Sequence, residues 1–208
     1  MSAFIPLHTV TSEAELDVLY AAPTDTSVAK EIDRLNAHYR TMIEAAPFCA
    51  LASIGPEGLD ASPRGDGPGF VRVLDDRTLA LPDRRGNNRI DTLRNVVRDP
   101  RVALLFLIPG CNETLRVNGR ASISTDPDLL ASFAMDDKAP ITVQVIAIDA
   151  VFFQCGRAVM RSELWSPDAH VDRSSLPSAG AMLRATSENF DADAYDRALP
   201  ERQRATLY

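Results

Sequence analysis

The order of strand-forming and helix-forming segments between residues 46 and 165 limits the possible folds more than any other feature. Short runs of strand formers follow one another across Gly/Pro turns, as in FCALASI, GPEG and LDAS, and helical patterns occur between them only irregularly. A parallel doubly wound sheet requires regular strand–helix alternation, so this order disfavours it. It predicts an α+β fold that is mainly β, an antiparallel barrel of about six strands with peripheral helices.

Further segments continue this pattern. FVRVL and TLALP form a second hairpin across Asp75-Asp76-Arg77, GNNRIDTLRNVV has helical spacing, VALLFLI is a buried central strand, and ETLRVNGRASIS and TVQVIAIDAVFFQC are long strands. Asp126 followed by Pro127 is a typical helix start, so DLLASFAM is predicted as a helix.

The two ends of the chain differ from this central region. Ser12 and Glu15 form a capping box that predicts a short helix, and apolar residues spaced by three and four predict one amphipathic helix of about five turns from residue 26. We therefore divide the chain into an N-terminal helical extension (residues 1–45), a barrel domain (46–165) and a polar C-terminal arm (166–208) that contains several prolines.

Charge and composition exclude several classes of function. The net charge of −7 argues against general binding of nucleic acid, and the longest strictly apolar run, residues 102–108, is too short to cross a membrane. The amino terminus lacks a basic start followed by a long apolar stretch, so a cytoplasmic location is expected. The three cysteines and three histidines have no metal-ligand spacing, so no metal site is expected.

Arginine is concentrated in one part of the chain. Residues 61–102 carry nine arginines against six aspartates, although the chain as a whole is acidic. In ALPDRRGNNRIDTLRN (80–95) a strand leads through a Gly turn into a helix, predicted to be capped by Asn87 or Asn88 and to carry Asn88 and Arg89 in its first turn. A helix start with nearby guanidinium groups can bind phosphate, and the loop SPRGDGPG (62–69) can supply a second arginine. The alternative is an ordinary helix cap with solvated arginines.

These motifs together resemble a known family. The order SPRGD, a strand pair, LPDRRGNNR, RDPRVALLF and TLRVNGRA is similar to the pyridoxamine 5'-phosphate oxidase-like, split-barrel FMN-binding proteins, over about residues 45–165. Within that family the chain looks like the branch with SPRGD and with an RSxLW motif, here Arg161-Ser162-Glu163-Leu164-Trp165. The resemblance implies a split barrel and a homodimer that binds FMN in the groove between its subunits.

The resemblance also implies the cofactor-binding residues. Arg64 matches the phosphate-binding arginine of an early strand, and Asn88 and Arg89 match the polar and basic pair at the helix start. Leu81 and Pro82 match the strand end that runs along the flavin. The remaining candidates are Arg84, Arg85, Thr114, which falls where the family places a polar side chain across the dimer, and Trp165, which either lies near the cofactor and dimer seam or anchors the core.

The resemblance implies an FMN-dependent oxidoreductase that transfers hydride at the flavin N5 atom, with a small-molecule substrate or a nicotinamide or deazaflavin donor. The tail AYDRALPERQRATLY does not resemble the strand with which vitamin B6 oxidases hold their substrate, so pyridoxine phosphate oxidation is not expected. Two alternatives stay open, a non-catalytic FMN-binding or storage module and a structural dimer without flavin. No catalytic side chain is assigned.

Overall fold

A computed structural model describes residues 7–208, and these divide after Glu31 into two compact units, the second of which spans residues 32–208. In the first unit, helix α1 spans Glu13–Leu19 and helix α2 spans Asp25–Ala29. The Ser12 hydroxyl accepts a hydrogen bond from the backbone N–H of Glu15, which confirms the predicted helix start. The first six residues of the predicted N-terminal extension lie outside the described residues.

The second unit is built on one antiparallel sheet of seven strands in the order β2-β1-β5-β6-β7-β4-β3. The strands are β1 (Phe48–Gly55), β2 (Gly58–Gly65), β3 (Arg72–Val73), β4 (Thr78–Pro82), β5 (Arg101–Leu107), β6 (Thr114–Ser124) and β7 (Val143–Gln154). Its helices are α3 (Ala37–Ala45), α4 (Asp91–Arg98), α5 (Pro127–Ser132), α6 (Arg157–Arg161), α7 (Ala179–Thr186) and α8 (Ala192–Ala205). The predicted α+β class, both hairpins and the helix after Asp126 are confirmed.

The sheet curves around one main core, and a smaller second cluster contains Ala80, Phe133 and Val143. Strands near both of its edges contribute side chains to one buried cluster, for example Leu51 from β1 and Leu79 from β4. The longest pairing, between β6 and β7, has a bulge at Asn118 and Gly119. A Cβ atom at Gly119 would lie 2.3 Å from the carbonyl oxygen of Ala147, so only glycine permits this close approach of the two strands.

The prediction of one long helix from residue 26 is wrong. Residues between α2 and α3 leave the helical path, and Ile32 instead forms an antiparallel bridge with Val151 of β7. Asn36 then starts α3, because its side-chain oxygen accepts the backbone N–H of Tyr39. The helical spacing of the apolar residues therefore has two origins, two short helices and a segment that pairs with the sheet.

The segment 166–208, predicted as a polar arm, contains α7 and α8. The Asp196 carboxylate accepts hydrogen bonds from the backbone N–H of Gly180 and from the hydroxyl of Ser178, which joins the two helices. Beyond α8 the chain reaches the barrel, where the Tyr208 phenol donates a hydrogen bond of 2.8 Å to Asp66. The domain boundaries at residues 45 and 165 stay predictions, and no described helix has the length and apolarity that a membrane crossing requires.

Candidate functional site

A cavity of about 680 Å³ lies where the end of β2, the end of β4 and the start of α4 meet. Both arginine-bearing segments predicted as loops, residues 62–69 and 83–90, contribute to its wall. The first is only partly a loop, because its lining residues 62–65 form the end of strand β2. Six of the nine predicted cofactor-binding residues line it, namely Arg64, Pro82, Arg84, Arg85, Asn88 and Arg89. The arginines therefore meet at one place, as the phosphate-site hypothesis requires.

Arg64 joins strand β2 to helix α4. Its Nη2 donates a hydrogen bond of 3.0 Å to the hydroxyl of Thr92, which is buried in the first turn of the helix, and its Nη1 donates to the carbonyl of Pro63. Among the described residues Arg64 forms no ion pair. Its half-buried charge is therefore positioned by neutral groups and stays available to an anion.

Arg84, in contrast, is held in a nearly buried ion pair. Its Nε lies 2.8 Å from Oδ2 of Asp66, with the side chains 18% and 5% exposed, and its Nη1 donates to the carbonyl of Phe133. Burial opposes ionisation of Asp66, but hydrogen bonds from Tyr208, the Gly67 N–H and Arg84 outweigh it and hold the pKa of Asp66 below its usual range. Arg84 is therefore a fixed charge in the cavity wall.

The loop between β4 and α4 differs from the sequence prediction. Helix α4 begins at Asp91 and not at Asn88, because both Asn88 and Ile90 adopt left-handed backbone conformations, with φ of 60° and 51°. Asn87 does not cap the helix, since its side-chain oxygen accepts the N–H of Arg89 within the loop. Asn88 and Arg89 thus precede the helix, and the prediction that they lie in its first turn is wrong.

The start of α4 is nevertheless open toward the cavity. No side chain caps this end, and the first-turn residues Asp91, Thr92 and Leu93 line the cavity. Uncapped N–H groups at a helix start attract anions, which supports an anion site here. Asp91 in this turn opposes the effect, because its carboxylate repels an anion and neutralises the charge of Arg89, whose Nε lies 2.7 Å away.

Four arginines and three aspartates line the cavity, so its side chains carry a net charge of about +1 in an acidic chain. Burial raises the pKa of Asp83, and the charge of Arg64 offsets part of this effect. Arg85 is exposed and forms no ion pair among the described residues. Within residues 7–208, no cluster of His, Cys, Asp or Glu is arranged to hold a metal ion.

Comparison with protein families decides which group of proteins this arrangement belongs to. The family model described as pyridoxamine 5'-phosphate oxidase matches residues 35–155, more than half of the chain and nearly the whole barrel. The chain belongs to the pyridoxamine 5'-phosphate oxidase family. Its split-barrel fold is therefore of the flavin-binding, oxidoreductase type.

Solved structures similar to this family member include three with different descriptions. A candidate pyridoxamine 5'-phosphate oxidase from Lactobacillus delbrueckii is 20% identical, with a TM-score of 0.47, over 58% of this chain and 95% of that one. HupZ from Group A Streptococcus is 17% identical, with a TM-score of 0.47, over 58% and 94%. An F420 reductase is 18% identical, with a TM-score of 0.43, over 56% and 98%. No curated protein matches the chain.

Three predicted residues of this oxidase-family chain do not line the cavity. Leu81 is fully buried in the barrel, opposite Gln144 of β7. Thr114 is buried at the start of β6 and donates a hydrogen bond to the Gln154 side chain. The indole N–H of Trp165 donates to the carbonyl of Cys111, so Trp165 holds the turn before β6.

Sequence reasoning missed three residues that shape the site of this family member, Asp66, Thr92 and Tyr208. Asp66 could have been predicted from the sequence, because it completes the SPRGD motif two residues after Arg64. Thr92 follows Asp91 in the predicted helix, but its burial depends on the packing of α4 against the sheet and on the Arg64 side chain that contacts it. No sequence signal connects Tyr208 with Asp66, since they lie 142 residues apart.

Proposed function

We propose that this chain is an FMN-dependent oxidoreductase that acts on a small-molecule substrate. One observation carries the proposal: two arginine-bearing segments and a helix start, each predicted to bind phosphate, line a single cavity of about 680 Å³. Small-molecule sites usually occupy roughly 300–1,000 Å³, so the cavity has a suitable size. Its excess of guanidinium groups and its uncapped helix start fit a phosphate dianion.

The cavity residues divide this task between fixed and available charges. Arg64 and Arg85 have no carboxylate partner among the described residues and are the groups that bind the phosphate directly. Arg84 contributes a positive charge whose position Asp66 sets. Arg89 must leave Asp91 to reach the ligand, so we assign it a smaller part. Pro82 and Asn88 contribute to the wall between β4 and the helix.

The proposal includes a homodimer with FMN between its subunits. Thr114 and Arg116 alternate along β6 with the core residues Leu115 and Val117, so they lie on the outer face of the sheet. There the Arg116 guanidinium stacks on the Phe152 ring at 4.2 Å, while its buried Nε has no hydrogen-bond partner among the described residues. A second subunit on this face would cover the Arg116 side chain and bring Thr114 toward the cofactor bound by the other subunit.

Bound FMN would supply the hydride chemistry at N5, while the chain supplies position, dipoles and exclusion of water. The electron donor would be a nicotinamide or a reduced deazaflavin. We assign Trp165 to the edge of this outer face, because its indole N–H donates a hydrogen bond to the turn that precedes Thr114. A cytoplasmic location stays part of the proposal.

Titration with FMN tests the function. Arg64→Ala is expected to weaken FMN binding about 10- to 100-fold, as for loss of a charge-assisted hydrogen bond. Arg89→Ala is expected to cost less than about 5-fold, because this side chain is exposed and already paired. Arg120→Ala is the control, since Arg120 pairs with Asp149 away from the cavity.

The outcome separates the alternatives. Colourless protein with no affinity for FMN would support a structural dimer without flavin and refute the proposal. Yellow protein that is not reduced by NADH, NADPH or a reduced deazaflavin would support an FMN-binding or storage module. Equal FMN affinity of the wild type and the Arg64 variant would remove the phosphate site described above.

A further inference from the structure

The half-buried side chain of Tyr208 meets the wall of the arginine-lined cavity at two points. Its phenol donates a hydrogen bond of 2.8 Å to Oδ1 of Asp66, and its ring centroid lies 5.8 Å from the guanidinium carbon of Arg84. Nζ of Lys138 donates a hydrogen bond of 3.2 Å to the main-chain oxygen of Tyr208. Tyr208 therefore joins the segment before β7 to the residues that follow β2 and β4.

The carboxylate of Asp66 is held at both of its oxygens. Oδ1 accepts hydrogen bonds from the Gly67 N–H, at 2.7 Å, and from Tyr208, while Oδ2 accepts from Nε of Arg84 at 2.8 Å. Hydrogen bonds to an ionised acceptor are roughly twice as strong as neutral ones. The Gly67 bond is local and moves with Asp66, so the bond from Tyr208 is the one that fixes the orientation of Oδ1 relative to a distant part of the barrel.

The orientation of Asp66 in turn sets that of Arg84. The Nε of Arg84 donates to Asp66 and its Nη1 donates to the carbonyl of Phe133. Within residues 7–208 its Nη2 has no hydrogen-bond partner, so Nη2 is the part of this guanidinium that a phosphate in the cavity can engage. A guanidinium is a rigid planar fork, and any rotation at Nε therefore moves Nη2 as well.

We propose that Tyr208 is a positioning residue of the FMN site, which acts through Asp66 to orient the Arg84 guanidinium for the phosphate. The inference rests on the proposed function, because it takes the arginine-lined cavity as the phosphate site. It also gives a role to the segment 166–208, whose sequence indicates only a polar arm. This segment, folded into α7 and α8, brings one side chain to a site 142 residues away in the chain.

Fluorescence titration of the full chain with FMN tests this. Tyr208→Phe keeps the ring and removes the hydroxyl, and it should raise the Kd for FMN about 2- to 5-fold, as for the loss of one hydrogen bond. Tyr208→Leu also removes the ring beside Arg84 and should raise the Kd at least as much. Tyr195→Phe is the matched control, because Tyr195 lies in the same segment, packs on Phe190 and does not line the cavity. It should leave the Kd unchanged.

A double-mutant cycle separates positioning from a general structural role. In the Arg84→Gln background, Tyr208→Phe should change the Kd for FMN less than about 1.5-fold, because the group on which it acts is gone. In the Arg64→Ala background the full effect of about 2- to 5-fold should remain.

Three results would count against the inference. An unchanged Kd in Tyr208→Phe, or an equal effect of this substitution in the Arg84 and Arg64 backgrounds, would overturn the positioning role and leave the proposed function intact. Failure of the wild-type chain to bind FMN would overturn both.

Discussion

The ion pair between Arg84 and Asp66 should be a main source of stability for the cavity wall, and Asp66→Asn tests it. Asparagine keeps the shape of the side chain and can still accept hydrogen bonds from Gly67 and Tyr208. It loses the negative charge that compensates Arg84, whose side chain is only 18% exposed.

The expected magnitude follows from this burial. Removing one partner of a fully buried ion pair costs about 3–5 kcal/mol, because the remaining charge stays in a poorly solvated place. Arg84 is partly exposed and keeps the Phe133 carbonyl as a partner, so the lower end, about 3 kcal/mol, applies. The control is Asp149→Asn, which breaks the pair with Arg120 where the side chains are 61% and 44% exposed, and which should cost less than about 1 kcal/mol.

Urea unfolding at a fixed protein concentration and at several pH values measures both effects. The pKa of Asp66 is lowered in the folded protein, so its ionised form stabilises the fold above the unfolded pKa of about 3.9. That contribution is lost as the pH falls through the folded pKa. The gap between wild type and Asp66→Asn should therefore be constant near pH 7 and shrink below about pH 4. A gap no larger than that of the Asp149 variant, or one that persists in acid, would refute this reasoning.

Two further predictions concern the barrel interior. Burial raises the pKa of the Cys49 thiol to about 12, with Arg64 opposing the shift. A thiol reagent at pH 8 should therefore label Cys111 and Cys155 in native protein and Cys49 only after denaturation. Rapid labelling of three thiols in native protein would contradict this. The Gln144 amide is fully buried, and neither of its polar atoms has a hydrogen-bond partner among the described residues. Gln144→Leu should therefore raise the free energy of unfolding by about 1–2 kcal/mol. A loss of stability in the same urea assay would show that the amide has a partner.

The strands could be predicted because their signals are local. The segment ETLRVNGRASIS alternates core and outer residues, and the structure has β6 at Thr114–Ser124. The helix predicted from residue 26 failed for a non-local reason, since the pairing of Ile32 with Val151 replaces helical hydrogen bonds with bonds to a distant strand. Spacing of apolar residues reports which side is buried, but not which backbone partner satisfies the chain.

At the candidate site, too, local motifs could be predicted from the sequence and long-range contacts could not. Arg64, at the end of β2, and Arg85, in the loop after β4, could be found because each lies beside a glycine at a strand end, and an antiparallel barrel brings such strand ends together. The contacts that hold the site together, from Asp66 to Arg84 and Tyr208, join three segments far apart in the chain. Only the packed structure shows which of the clustered arginines are paired and which are available.

The start of α4 shows why a local sequence rule failed at the site itself. A helix usually begins with an extended residue whose side chain accepts the first free N–H groups, yet Ile90 stands here in a left-handed conformation that costs a β-branched residue about 1–2 kcal/mol. The hydrogen bond from the Arg89 N–H to Asn87 holds the loop in this form. A Ser or Asp at residue 90 would satisfy the helix N–H groups internally and compete with a bound anion. The unfavourable residue thus leaves those groups open toward the cavity, which is the expected pattern where a binding site, and not stability, determines the local sequence.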